Sequence, residues 1–463
     1  MKDIATMDRE TLATHLARLF RDRGAELYLV GGAVRDQLLG QDDFDLDFAT
    51  SAEPDTTASI LATLGAGRPY RVGEKFGTIG LALDGRPVEI TTYRTEEYEA
   101  GSRKPQVQFG RSLRADLERR DFTINAMARD PLTGDLIDPL GGRDDLVAGL
   151  IRAVGTPEER FAEDPLRLLR AVRFASRLGF HVDPETWSAM QRSAPALGSI
   201  SRERVRDEYT KMLTGAEPVR ALELLRDSAL MAQSVPGLME LTRMPDHGPF
   251  HPLSLWDHAM RVVAAVPPLL TLRWAALLHD VAKPATRTHE PSGRPRFFGH
   301  EERGAEVARE ILTDLRYSKD IVEGVVLLVS THMQMHGYTD EWTDGAVRRL
   351  TMRLGTLTSE ALMLARADAS GHALAGQSSG SRRYDALESR IRTVQQQSPR
   401  LESPLSGDDL MTRYGRPAGP WIRDVKDALR DAVIDGALAA GDRDRAFQMA
   451  DEIMAAQESG ATP

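Results

Sequence analysis

The chain has 463 residues, of which 41% are hydrophobic and 28% charged; this length and balance exclude wholesale disorder and a single ordinary core, and imply two to four domains. A formal net charge of −10 excludes a surface that attracts nucleic acid everywhere, although basic residues gather at Arg94, Arg103, Lys104, Arg111, Arg114, Arg119 and Arg120, and again between Arg152 and Arg177. No apolar run approaches the roughly 20 residues that span a bilayer, cysteine is absent, and the charged N-terminus has no apolar signal core, so a cytoplasmic protein without disulfides, thiolate zinc sites or a membrane partner is expected.

Residues 8 to 23 set Leu12, Leu16, Leu19 and Phe20 at helical spacing before Gly24, which predicts an amphipathic opening helix. An apolar strand follows at 26 to 30, broken by Gly31-Gly32, with a second strand near 44 to 48. From 70 to 94, Gly73, Gly77 and Asp84-Gly85 punctuate short strand-like runs, and Asp84-Gly85 reads as a hairpin turn. Helical spacing dominates beyond about 150, at 165 to 178, 202 to 213 and 219 to 230. Residues 371 to 405, rich in Gly, Ser and Gln at both ends of a short helical pattern, read as a linker. A last helical segment, 424 to 456, closes the chain. The expected fold is α+β: a mixed-sheet head (1–150), an all-helical neck (151–245), a metal-dependent helical domain (246–372), and a linker with a helical tail (373–463).

In the second strand, alternation turns Asp45 and Asp47 to one face while Phe44, Leu46 and Phe48 face the core. Two carboxylates so placed can hold Mg²⁺, an ion suited to phosphoryl chemistry. Gly31 and Gly32, before a helix start, let the backbone approach a triphosphate, and Arg35 adds a cation. Glu89 is a candidate third carboxylate from a neighbouring strand. The run RRDFTINA (119–126) joins two cations to Asp121 and Asn125, a mixture suited to ribose and phosphate. Glu163, Asp164 and Arg167 cluster at a helix opening, where a carboxylate and a guanidinium offer acceptors and donors to a base edge. The same segment also reads as an ordinary helix start, with Asp164 as N-cap and Pro165 at the first position.

Eight of the eleven histidines lie between His247 and His336. Adjacent His279-Asp280 can bind one ion, His258 and Asp368 complete a mixed nitrogen and oxygen set, and His300 and His332 are candidates for a second ion or a substrate phosphate. That donor set suits a divalent transition metal or Mg²⁺. His247, His251, His289 and His336 receive no role.

The motifs GGAVRD with DLD, RRDFTINA, EDPLRLLRAVRF (163–174) and RVRDE (204–208) occur in the order found in class II CCA-adding tRNA nucleotidyltransferases and bacterial poly(A) polymerases of the polymerase β superfamily, which the chain resembles from about 26 to 215. The resemblance implies transfer of CMP and AMP from CTP and ATP to the tRNA 3′ end without a nucleic-acid template, by two metal ions. It implies metal binding by Asp45 and Asp47 with Glu89 as third acid, and nucleotide contacts from Arg120, Asp121 and Asn125. It also implies base selection by Glu163, Asp164 and Arg167, with Arg170 beside them on the same motif. Arg204 and Glu208 would brace that helix, and the segment 93 to 116 would help switch specificity. Residues 250 to 370, with HDVAKPATR and FFGHEERGA, resemble the HD phosphohydrolase superfamily, whose ligand order His258, His279-Asp280, His300, His332 and Asp368 would follow. The rivals are a poly(A) polymerase, an enzyme adding only C or only A, an HD phosphohydrolase whose head merely binds RNA, and a non-catalytic RNA-binding protein.

Overall fold

The structure is a computed structural model that describes residues 7–41, 45–65, 67–71, 77–83, 86–97, 106–110, 112–244, 253–292, 295–372, 379–397 and 402–458. Asp43, Phe44, the Asp84-Gly85 turn, Arg103, Lys104, Arg111, His247, His251 and parts of the expected linker lie outside the described residues. The chain divides into two compact units, Met1–Pro236 and Gly237–Pro463.

In the first unit, helix α1 (Arg9–Arg21) starts where the Asp8 carboxylate accepts the Thr11 N–H at 2.8 Å, and its buried stripe is Leu12, Leu16 and Phe20 with two alanines. Strand β1 (Leu27–Val30), helix α2 (Gly32–Leu38), strand β2 (Leu46–Thr50), helix α3 (Pro54–Ala62), and strands β3 (Thr78–Leu83) and β4 (Arg86–Thr92) follow. Then come a separate hairpin of β5 (Arg94–Glu97) and β6 (Gln106–Phe109), helix α4 (Leu113–Glu118), and the short strands β7 (Ala128–Arg129) and β8 (Leu136–Ile137). The six-stranded sheet has the order β3-β4-β2-β1-β7-β8, and β2 and β4 are its one parallel pair among the described strands. That register sets Asp47 opposite Glu89. Leu46, Phe48, Val88 and Ile90, their strand neighbours, are 3% exposed or less, so the pleat that buries these apolar residues turns the acids to the other face.

The first unit goes on through α5 (Gly142–Ala148), β9 (Leu150–Ile151), α6 (Pro157–Glu163), α7 (Leu166–Leu178) and β10 (His181–Val182). It continues with α8 (Pro184–Ser193), α9 (Arg202–Leu213), α10 (Pro218–Asp227) and α11 (Leu230–Ser234). The helix predicted at 219 to 230 stops early: the Ser228 hydroxyl donates back to the Leu224 carbonyl at 2.6 Å, and Ala229 turns left-handed at φ 62°.

The second unit comprises α12 (Leu255–Ala265), α13 (Leu270–Leu278), α14 (Lys283–Thr286), the strands β11 (Thr288–His289) and β12 (Pro295–Arg296), α15 (His300–Asp314), α16 (Lys319–His336), α17 (Asp344–Leu354) and α18 (Thr358–His372). Helices α19 (Ser379–Gln397), α20 (Gly407–Tyr414), α21 (Pro420–Ile434) and α22 (Arg443–Glu458) complete it. The linker expected at 371 to 405 contains a long packed helix. Helix α19 packs on α17 and α18, burying Tyr384, Leu387, Ile391 and Val394 at helical spacing, and Arg366 of α18 pairs with its Asp385 and Glu388. The single closing helix is in fact two, because Gly436 at φ 74° ends α21; α21 and α22 meet over Val425, Leu429, Ala446 and Ala450. Among the described residues no helix is long and apolar enough to cross a membrane.

Candidate active site and second metal-binding cluster

Asp45 precedes β2 and Asp47 lies within it, beside Glu89 of β4. Burial raises the Asp47 carboxyl to about 6; the charges of Glu89 and Asp45 add to the rise, and Arg120 opposes it. Three carboxylates that repel one another are a donor set that a hard divalent cation relieves. The triads gathered within 4.8 Å among the described residues nevertheless lie in the second unit, not here. Tyr70, which sequence reasoning missed, donates its hydroxyl to Glu89 Oε1 at 3.3 Å. Its ring lies over Gly80, where a Cβ would stand 2.1 Å from it.

Gly31 adopts φ 66°, ψ −128° at the start of α2, a conformation that residues with a Cβ rarely enter. A Cβ there would lie 2.7 Å from Arg120 Nη1, so the glycine admits the guanidinium against the backbone. Gly32 opens α2 behind it. Asp116, 1% exposed, is shared by Arg119 at 2.6 Å and Arg120 at 3.2 Å. Burial would raise its carboxyl, but the two guanidiniums hold it below the ordinary value.

Three residues expected to touch the nucleotide are buried and bonded to other groups of the protein. Arg35 grips Asp36 through two nitrogens and donates to Asn125 Oδ1 at 2.6 Å. Asn125 Nδ2 in turn donates to Asp121 at 3.1 Å, and Asp121 also receives Arg170 at 2.8 and 2.5 Å. Burial opposes the charge on Asp121, yet Arg170, Asn125 and the Phe122 N–H hold its carboxyl down to about 2. The guanidiniums of Arg35, Arg170 and Arg173 all lie over the Phe174 ring. A continuous polar frame therefore joins α2, the 119–126 segment and α7.

The segment 163 to 167 does not open one helix as the spacing predicts. Pro165 forces Asp164 into an extended conformation, φ −144°, ψ 96°, so Glu163 ends α6 and α7 starts at Leu166. Glu163 and Arg167 still pair at 2.7 Å, across the break, and Arg167 also donates to the carbonyls of Arg160 and Arg119 at 3.1 Å each. Arg204 grips Asp164 at 2.7 and 3.1 Å, and Arg173 of α7 meets Glu208 of α9 at 2.6 Å. Helix α9 is thereby tied to both sides of the break.

In the second unit, α12, α13, α15, α16 and α18 bring His258, His279, Asp280, His300, His332 and Asp368 together, each 5% exposed or less. His258, His279 and Asp280 form one group and Asp280, His300 and His332 another, so Asp280 is common to both. The Nδ1 atoms of His279, His300 and His332 lie 2.9, 2.7 and 2.6 Å from backbone carbonyls three residues earlier. A carbonyl only accepts, so each Nδ1 carries a proton and each Nε2 is the nitrogen that faces inward. The Nε2 atoms of His300 and His332 stand 3.2 Å apart; two opposed lone pairs at that distance call for a cation between them, and the donor set fits a divalent metal. Burial opposes a charge on His279, but Asp280 and Asp368 raise it to about 9, while burial and the His279 charge push His332 down to about 3. Burial likewise disfavours ionised Asp280, yet Lys283, donating at 2.6 Å, and His279 hold it well below the ordinary carboxylate range. Lys283 and His336 were missed from sequence; the signals were their places one helical turn beyond Asp280 and His332.

Comparison with known proteins follows the same division. The poly A polymerase head domain matches residues 27–152, a probable RNA- and SrmB-binding site of polymerase A matches 179–241, and the HD domain matches 250–370. The CCA-adding enzyme of Geobacillus stearothermophilus is 33% identical over 432 residues, covering 92% of each chain. That of Bacillus pumilus is 34% identical over 429 residues, covering 92% of this chain and 94% of its own. The crystal structure of the Bacillus stearothermophilus CCA-adding enzyme in complex with CTP superposes with a TM-score of 0.70 at 29% identity, covering 98% of this chain and all of that one. With this likeness running nearly end to end, through head, RNA-binding segment and HD domain alike, the chain belongs to the CCA-adding enzymes.

Proposed function

We propose that the chain completes tRNA by adding C, C and A to its 3′ end from CTP and ATP, with Asp45, Asp47 and Glu89 as the acids at which transfer occurs. The observation that carries this reading is the register of β2 on β4, which sets Asp47 opposite Glu89 beside the Gly31–Arg120 contact. Asp45 and Asp47 would hold Mg²⁺, which when bound would supply activation of the attacking 3′-hydroxyl and neutralisation of the departing pyrophosphate. Arg120, partly exposed and fixed by Asp116, faces the phosphates; Gly31 leaves room for the chain to approach them. Arg35, Asp121, Asn125 and Arg170 hold that wall in place through the buried frame rather than by gripping the nucleotide. The wall is rigid before substrate arrives, which lowers the cost of ordering the reacting groups.

Glu163, Asp164 and Arg167 read the base. The bonds of Arg167 to Glu163 and to two carbonyls use three of its N–H donors, and a guanidinium has five. Its fork is therefore oriented by the protein and still able to donate. Arg167→Ala and Glu163→Gln are expected to lose discrimination between CTP or ATP and the wrong nucleotides by about 10- to 100-fold, the worth of one base contact at roughly 1–3 kcal/mol. Single-nucleotide incorporation with each of the four triphosphates measures it. Unchanged selectivity in both variants removes these residues from base reading.

For the second unit we assign a divalent-metal centre with phosphohydrolase chemistry, supported by the inward Nε2 atoms of His279, His300 and His332 around shared Asp280. Four imidazoles with two carboxylates favour a transition metal over Mg²⁺.

A further inference from the structure

We propose that Arg383, Tyr384 and His336 form a directed hydrogen-bond chain that sets Asp368 as a metal ligand, so that α19 completes the centre in the second unit. The inference rests on the reading of that centre as a metal site. Tyr384 is fully buried, and its hydroxyl lies 2.8 Å from Arg383 Nη2 and 2.7 Å from His336 Nδ1. His336 Nε2 lies 2.6 Å from Asp368 Oδ2.

The direction of the chain follows from its last member. The Asp368 carboxylate only accepts, so His336 carries its ring proton on Nε2 and donates it to Oδ2, which leaves Nδ1 as an acceptor. Tyr384 then gives its own proton to Nδ1, and its oxygen accepts from Arg383, whose guanidinium only donates. The other oxygen, Oδ1, faces His258 Nε2 at 3.1 Å and His279 Nε2 at 3.7 Å. His336 thus holds the opposite tautomer from His279, His300 and His332, whose Nδ1 protons go to carbonyls. One helical turn beyond His332 on α16, it positions a ligand and is not itself one. Tyr384 also lies beyond residue 370, where the HD match ends, so this part of the centre is supplied by the helix that follows.

The test is Co²⁺ binding by the full chain after chelator treatment, in an Asp45→Ala/Asp47→Ala background that silences the head. The readouts are stoichiometry, affinity and the visible absorption of the bound ion. Tyr384→Phe is expected to weaken binding roughly 10- to 100-fold, the usual effect of removing a partner that orients a ligand, and to alter the spectrum. His336→Ala should lose at least as much, and His336→Gln, which keeps an N–H near the Nε2 position, should lose less than His336→Ala. Unchanged affinity and spectrum in both Tyr384→Phe and His336→Ala, with normal uptake by the parent, overturn the relay alone. If the parent takes up no more Co²⁺ than a chain that also carries His279→Ala/Asp280→Ala, the metal-site reading falls and the relay with it.

Discussion

A chain carrying Asp45→Ala/Asp47→Ala is expected to incorporate nucleotide at least about 10³-fold more slowly than the parent, with both CTP and ATP. Removing the two acids leaves Glu89 alone to hold a divalent cation. The several kcal/mol of charge stabilisation that such an ion provides is worth a factor of ten for each 1.36 kcal/mol, roughly. Folding should survive, because Asp45 is exposed and Asp47 is only partly covered. The pH dependence has a definite sign. Asp47 is raised from 3.8 to about 6 in the folded chain, so in the chelator-treated parent this carboxyl binds more protons folded than unfolded between those values. Its contribution to stability therefore grows as pH falls through 6 toward 4, and the difference in stability between parent and double variant should follow that growth. His279→Ala/Asp280→Ala should do the reverse, sparing incorporation while removing the metal and any hydrolysis from the second unit. Incorporation by Asp45→Ala/Asp47→Ala within tenfold of the parent would exclude these acids from the chemistry.

Asp121→Ala is expected to have the largest effect on stability. Asp121 is 7% exposed and binds Arg170, Asn125 and the Phe122 N–H. Its loss leaves a guanidinium and an amide without their common acceptor, a change that costs about 3 kcal/mol or more. Hydrogen exchange of peptides from α7 should speed up accordingly, and incorporation should fall as well, since Asn125 and Arg35 lose their anchor. The carboxyl is held down to about 2 in the fold, against an ordinary 3.8. Its contribution is therefore complete above pH 4 and vanishes as pH falls through 2, so parent and variant should converge in acid. Equal protection of α7 in both chains at neutral pH would show that the frame is not what holds this helix.

The opening helix, the β2 strand, α7 and α9 were legible because each carries its own period: Leu12, Leu16 and Phe20 recur at helical spacing, and Leu46 and Phe48 alternate with acids. Glu89 was read as coming from a neighbouring strand, but its register was not legible, since a parallel pairing between strands some forty residues apart leaves no local mark. The break at Asp164-Pro165 was open to a reading from proline alone, yet the charge spacing of Glu163 and Arg167 pointed to one helix. The helical pattern of α19 was legible, but its Gly-, Ser- and Gln-rich flanks made the stretch read as a linker, although Tyr384, Leu387, Ile391 and Val394 carry a stripe that packs. The six histidines and aspartates that gather in the second unit were singled out by their order in the chain. The residues that orient them, His336 and Tyr384 among them, belong to no local motif and emerge only when α16, α18 and α19 pack together. In the head, Arg35, Asp121 and Asn125 were read from their motifs as nucleotide contacts; their burial, and hence their work as a frame, depends on the packing of α7 and leaves no local mark.

Sequencing the 3′ ends formed on a tRNA transcript that lacks its CCA decides the activity most directly, with CTP and ATP supplied singly and together. CTP alone should extend the transcript by two C residues, and both nucleotides together should yield CCA with no further growth. A long A tract, C addition without the closing A, or no addition at all would contradict the assignment.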